Sequence, residues 1–186
     1  MATPNSDFKY VEDSQVTITE LMIPAYANFG GKIHGGSVLS LIDKVAYAAA
    51  ARHAGSYCVT LSVDRVLFLH PIEVGQLVSL KASVNYVGNT SLIVGVRVTS
   101  EDVKTGKVWH TNSCYLTMVA LDDRGNKLQV PGLKLRTQEE VRRWYEAWQR
   151  RQHAMAVRQE EATRETVDVE QARKIAATQR CQIELS

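Results

Sequence analysis

The sequence predicts an α+β domain in which a curved antiparallel sheet wraps one long central helix, followed by a C-terminal helical extension. Three observations carry that prediction. From Ser37 to Ala54 there is neither Gly nor Pro and little polar surface, so a helix there must be buried on most sides. Between Cys58 and Leu121 the periodicity changes from helical to alternating, and four strand candidates follow one another with no helix between them. That order excludes βαβ units and leaves a meander. Beyond Thr137 helical spacing returns.

Taken in order, residues 1–13 are polar and predict a flexible N-terminus. Val16, Ile18, Leu21 and Ile23 suggest a first strand ending at Pro24. Ala25 to Gly36 is an irregular glycine-rich loop that delivers the chain to the central helix, and Gly55 is a natural stop for that helix. The first strand of the meander runs from Cys58 to about His70, with a slip in alternation near Arg65 that suggests a bulge, and Pro71 ends it. The second spans Gln76 to Tyr86, and Gly88-Asn89 turns the chain back. The third, Ser91 to Thr99, sets Leu92, Val94, Val96 and Val98 against Ile93, Gly95 and Arg97. The fourth, Lys107 to Leu121, exceeds a strand's usual length and implies strong curvature. Thr137 and Glu140 form a capping-box pattern for a second helix ending near Glu161, with Trp144, Tyr145 and Trp148 on its apolar stripe. Arg142, Arg143, Arg150 and Arg151 lie off that stripe and read as a solvated basic face. The tail from Ala162 is polar, with a weak helical pattern from Val169 to Ala177: a short helix or disorder.

Composition excludes several classes. The 186 residues, 45% hydrophobic, suit one core plus an extension, and a net charge of +2 from 22 basic and 20 acidic residues offers no basic tract for nucleic acid. No apolar run spans a membrane and the N-terminus lacks a leader pattern, so a cytoplasmic protein is expected. Cys58, Cys114 and Cys181, widely spaced, predict reduced thiols, two in the core and one in the tail, with no metal site. A small curved sheet with an open edge pairs with another copy, so at least a homodimer is expected.

Chemistry concentrates at the start of the central helix. Gly35 and Gly36 expose the first amide N–H groups, a ready seat for negative charge. Asp43 stands two turns further along, a lone acid on an oily helix, where burial without partners is costly. The alternative is a carboxylate satisfied by Lys44, Arg52 or a second chain. Asn28 by itself suits a turn in a glycine-rich loop. His34 beside the glycines reads as a support contact, and Thr60 with Ser62 shares one strand face.

Asn28, Gly35-Gly36 and Asp43 at these offsets stand with VTLSVD at 59–64, FLHPIEVG at 68–75, VGNTS at 87–91 and WHTNSCY at 109–115. Together they resemble the hotdog-fold acyl-CoA thioesterases, in particular the hexameric bacterial acyl-CoA hydrolases and the brain-type acyl-CoA hydrolase group. The HGG form, with His34, also resembles the phenylacetyl-CoA thioesterase branch. The resemblance covers residues 14–135 and leaves 136–186 as a C-terminal helix and tail.

It implies hydrolysis of fatty acyl-CoA to free acid and coenzyme A, without a cofactor. It implies Asp43 as general base on water or as nucleophile, the Gly36 N–H, helped by Gly35, as oxyanion donor, and Asn28 as the group that positions water or carbonyl. His34 and Thr60 support them. Arg97, Thr90, Ser91, Asn112 and Ser113 resemble the contacts to coenzyme A. A dimer with Asn28 and Asp43 of one site on different chains, assembled as a trimer of dimers, is the implied active form. A non-catalytic acyl-CoA sensor of the same fold is the alternative. No GxSxG elbow and no Walker loop occur.

Overall fold

The centre of the fold is α1 (Gly35–Ala54), in which Val38, Ile42, Val45, Ala46, Ala49 and Ala50 are each at most 1% exposed. Burying each of the larger of these side chains contributes about 1.5–3 kcal/mol, and the alanines let the sheet approach closely. Gly55 closes the helix at φ 70, a left-handed conformation that a Cβ would strain, and its N–H returns to Ala51 O at 2.8 Å. The structure is a computed structural model that describes residues 8–162 and 168–185.

Five antiparallel strands curl around α1. They are β2 (Val16–Leu21), β3 (Tyr57–Val63), β4 (Leu77–Val87), β5 (Ser91–Asp102) and β6 (Lys107–Leu121), in spatial order β2-β4-β5-β6-β3. Val94, Val96 and Val98 of β5 turn towards α1, so Gly95 and Arg97 occupy the outer face, as their alternation predicts. Register shifts interrupt three ladders: between Thr60 and Ser62, between Val84 and Tyr86, and between Val98 and Thr99. Each adds one residue to one strand, which sharpens the local twist and helps the sheet wrap the helix.

Two expectations need correction. The first meander strand stops at Val63 rather than near His70, and its bulge falls at Leu61 rather than Arg65. Past Val63 only isolated bonds tie the chain to β6, Asp64 N–H to Tyr115 O at 2.9 Å and Leu69 N–H to Thr111 O at 2.8 Å. The lost alternation near Arg65 therefore marks the end of pairing, not a defect within it. The polar lead-in also carries structure. β1 (Phe8–Tyr10) pairs in parallel with β7 (Gly132–Lys134), and Val11–Ser14 form a 3-10 turn. Ser14 is fully buried, its hydroxyl accepting from Val84 N–H at 2.9 Å and donating to Val11 O at 2.7 Å. Lys9 reaches the C-terminal end of α1, donating to His53 O at 2.8 Å. Residues 1–7 lie outside the described residues.

α2 (Gln138–Ala162) and α3 (Val169–Ala177) match the expected helices. Asp168 caps α3 by accepting from Glu170 N–H at 3.0 Å and Gln171 N–H at 3.2 Å. The chain divides into two compact units after Trp148, so the first turns of α2 belong with the sheet. There Trp144 lies against Tyr86, ring centroids 6.1 Å apart. Cys58 and Cys114 are buried free thiols and Cys181 is exposed. Burial pushes both core thiols up to about 11. Among the described residues no helix is long and apolar enough to cross a membrane, and no cluster of His, Cys, Asp and Glu could hold a metal ion.

Candidate active site

Asp43 sits on the flank of α1 beside the edge strand β3, exposed rather than sealed in the core. The hydroxyl of Thr60, on β3, donates to its Oδ1 at 2.6 Å and also lies 3.3 Å from the Met118 sulfur. The two residues line a groove of about 340 Å³ together with Lys44 and Tyr47 of α1, Cys58 of β3 and Met118 of β6. Among the described residues Asp43 forms no ion pair, and Arg52 is turned away to donate to Gln15 O at 2.8 Å. One carboxylate oxygen is thus held by a hydroxyl, and the acid opens onto a groove. Tyr47 was not singled out from the sequence. Its spacing of four residues from Asp43 places both on one side of the helix, and that was the available clue.

The loop ahead of α1 is built by Asn28. Its side-chain oxygen accepts from Gly30 N–H at 2.9 Å and Lys32 N–H at 3.2 Å, and its own N–H donates to Lys32 O at 2.7 Å. Asn28 therefore does here what asparagine does in turns, while its exposed carboxamide NH2 has no partner among the described residues. It does not line the groove that holds Asp43.

His34 is the N-cap of α1, and its Nδ1 accepts from Gly36 N–H at 2.9 Å. The amide read as oxyanion donor is thus occupied by the neighbouring imidazole. A histidine two residues ahead of the second free N–H reaches it naturally, and a Cβ at Gly36 would press on that ring at 2.9 Å. The Gly35 N–H carries no partner among the described residues, and the ring of Phe68 covers Gly35 at ordinary contact distance.

The residues read as coenzyme A contacts separate into three places. Arg97 and Ser113 line one groove on the outer face of the sheet. Asn112 points the other way: it is 0% exposed, accepts from the Thr111 hydroxyl at 3.3 Å, and its NH2 is buried without a partner among the described residues. The extra residue at Thr111 shifts the register just before it. Thr90 and Ser91 stand at the β4–β5 hairpin, where Thr90 O accepts from Ala120 N–H at 3.0 Å. Within one chain, then, Asp43 meets Thr60 and Arg97 meets Ser113, and the two pairs do not share a groove.

Residues 30–107 match the family model described as the thioesterase superfamily. An apo hexameric acyl-CoA thioesterase shares the fold with a TM-score of 0.79 at 36% identity, covering 86% of this chain and 99% of that one. The chain belongs to the acyl-CoA thioesterases of the hotdog fold. This thioesterase is also 46% identical over 139 residues to Protein VdlD of Helicobacter pylori, covering 75% of its own length and 79% of the relative's. An acyl-CoA hydrolase from Staphylococcus aureus, solved in complex with butyryl coenzyme A, coenzyme A and its disulfide, matches with a TM-score of 0.78 at 34% identity over 83% and 94% of the two chains. Alanine variants of that hydrolase at an aspartate, an asparagine and a threonine match with TM-scores of 0.78, 0.80 and 0.77. The thioesterase match covers α1 and the Asn28 loop's end through the start of β6, so it contains the Asp43–Thr60 pair.

Proposed function

We propose that this thioesterase hydrolyses fatty acyl-CoA to the free acid and coenzyme A, with Asp43 as the reactive carboxylate. The observation that carries the reading is the Thr60 hydroxyl on Asp43 Oδ1 at 2.6 Å, in an open groove without a competing cation pair. With Oδ1 fixed, Oδ2 is the oxygen available to the substrate. It acts either by taking a proton from water as that water adds to the thioester carbonyl, or by adding itself to give an anhydride that water then opens. In both routes the C–S bond breaks and the sulfur leaves as a thiolate, whose ordinary pKa of about 8.5 makes a separate acid unnecessary.

The developing oxyanion is received at the mouth of α1. The Gly35 N–H is the donor that needs no rearrangement, and the Gly36 N–H joins it when His34 swings off its cap. Asn28 of the partner subunit completes the site with its carboxamide NH2, so the dimer is the minimal active unit, assembled as a trimer of dimers in the cytoplasm. No cofactor takes part. The hexameric thioesterase and the butyryl-CoA-bound hydrolase support this reading. So do the three residue types varied in the latter, which are those of Asp43, Asn28 and Thr60 here.

Release of free thiol from a panel of acyl-CoA chain lengths tests the reading. Asp43→Asn should keep its assembly mass and lower kcat by about 100-fold or more, the contribution of a general base. Thr60→Ala should retain more activity than Asp43→Asn. An unchanged rate in Asp43→Asn, or no thiol release from the wild-type chain, overturns the assignment and leaves a sensor.

A further inference from the structure

The groove beside Asp43 has an apolar end as well as a reactive one. After Gly55 the chain turns back, so β3 runs alongside α1 in the opposite direction. Thr60 therefore meets Asp43, and Tyr57, three residues nearer the turn, meets Tyr47, four residues nearer it along the helix. At about 1.5 Å of rise per residue, those four residues separate the two contacts by about 6 Å along α1. Cys58, Val59 and Met118 line the same groove, with Cys58 and Met118 at most 2% exposed. A thiol, an isopropyl group and a thioether offer no strong hydrogen-bonding group, so this end favours hydrocarbon. Lys44, beside Asp43, is the lining cation, and its stem adds to the apolar wall.

The far end is closed by two rings. The ring centroids of Tyr47 and Tyr57 are 6.0 Å apart, with their planes tilted by 58°. A hydrocarbon chain passing between two rings needs a carbon contact of about 3.5–4.0 Å on each side, roughly 7–8 Å in all. The gap is too narrow. Tyr47 and Tyr57 are 41% and 58% exposed, so a chain turned aside by them runs out into water and its further methylenes gain no burial.

We infer that Tyr47 and Tyr57 form a stop that sets the acyl length this thioesterase accepts, favouring short chains over long ones. The inference rests on Asp43 as the reactive carboxylate, because that assignment fixes where the carbonyl carbon sits. With the carbonyl oxygen towards the mouth of α1, the hydrocarbon runs the other way, along Cys58 and Met118 to the rings. Both rings belong to one chain, so every protomer of an assembly carries its own stop.

Thiol release from straight-chain esters, acetyl-CoA to dodecanoyl-CoA, by the assembled full chain tests this. In the wild type kcat/KM should peak at butyryl- or hexanoyl-CoA and be at least about tenfold lower for dodecanoyl-CoA, since a single methylene accepted or refused by an apolar pocket is already worth about that much. Tyr47→Ala and Tyr57→Ala should each raise the ratio of dodecanoyl to butyryl kcat/KM about tenfold or more. Tyr57→Trp, which adds bulk, should move the peak to shorter chains, and Tyr57→Phe, which keeps the ring, should keep the wild-type ratio. Rings that only held the fold would lower all rates together and leave the ratio where it was. If neither alanine variant assembles, the wild-type profile and Tyr57→Trp decide. Dodecanoyl-CoA turned over as well as butyryl-CoA by the wild type overturns the stop, as does a ratio unmoved in the variants that assemble. Asp43→Asn separates the two readings: turnover lost at every length with the tyrosine ratio unmoved removes the stop alone, whereas full turnover in Asp43→Asn removes the Asp43 assignment and the stop with it.

Discussion

His53 shows how a single side chain sets a pH limit on this fold. It is fully buried near the end of α1, its Nε2 lies 3.0 Å from Pro131 O, and its Nδ1 has no partner among the described residues. The contact with a carbonyl places the proton on Nε2. Burial lowers its pKa below the usual histidine value, with the Pro131 carbonyl pulling the other way less strongly. The folded chain therefore keeps His53 neutral while the unfolded chain takes up a proton below about pH 6.5. Stability is complete above that value and falls as pH drops from it towards the lowered folded value, by at most about 1.4 kcal/mol per pH unit. Denaturant midpoints measured from pH 7 to 5 should fall, and His53→Gln should flatten that slope; an identical slope in the variant refutes the assignment. At this scale the sequence was uneven. Asp43 stood out because an acid interrupts an apolar helix, whereas Thr60 was named through the family resemblance. The face it was expected to share with Ser62 is split by the bulge at Leu61, which sets Thr60 across from Met118 and Ser62 across from Thr117 on the other side of the sheet. The cap on Gly36 was hidden, because whether an imidazole folds back on its own helix depends on the backbone angle at His34 and not on its identity.

The start of α2 was readable because its chemistry is local. Thr137 Oγ1 accepts from Glu140 N–H at 3.1 Å, and the Glu140 carboxylate returns to Thr137 N–H at 3.0 Å and Arg136 N–H at 2.6 Å, the reciprocal pair expected from the two residue types. Thr137→Ala should cost about 1 kcal/mol in chemical denaturation. Equal stability in the variant would show that packing of Trp144 on Tyr86 alone holds this end of α2. Strand interiors were harder. The bulges at Leu61, Asn85 and Thr111 leave the flanking apolar pattern almost intact, so a one-residue excess is visible only when the partner strand is laid alongside. Pairing of β1 with β7 joins short segments far apart in the chain, each with too few residues to show a period.

At the scale of the whole sheet unit, a run of exposed apolar side chains follows one margin. β3 pairs with β6 on one side only, and Leu61, Val63, Leu67, Phe68 and Leu69 on and just beyond it are each 47–63% exposed. The proposed dimer covers that margin and brings the second chain's Asn28 loop to Asp43. Leu67→Glu should therefore lower the assembled mass by light scattering and reduce thiol release in step with it; full activity in a monomer sinks the shared-site reading. Fold class and edge were legible because hydrophobic period and strand count are properties of one chain. The complete site was not, because in the proposed dimer half of it comes from a neighbour that one sequence does not display. The unpaired margin of β3 has a further cost during synthesis. Until it meets another copy, each newly made polypeptide presents an oily border that also accepts wrong partners. Recovery of active material should then depend on how crowded the nascent chains are, with fast overproduction favouring precipitate over enzyme.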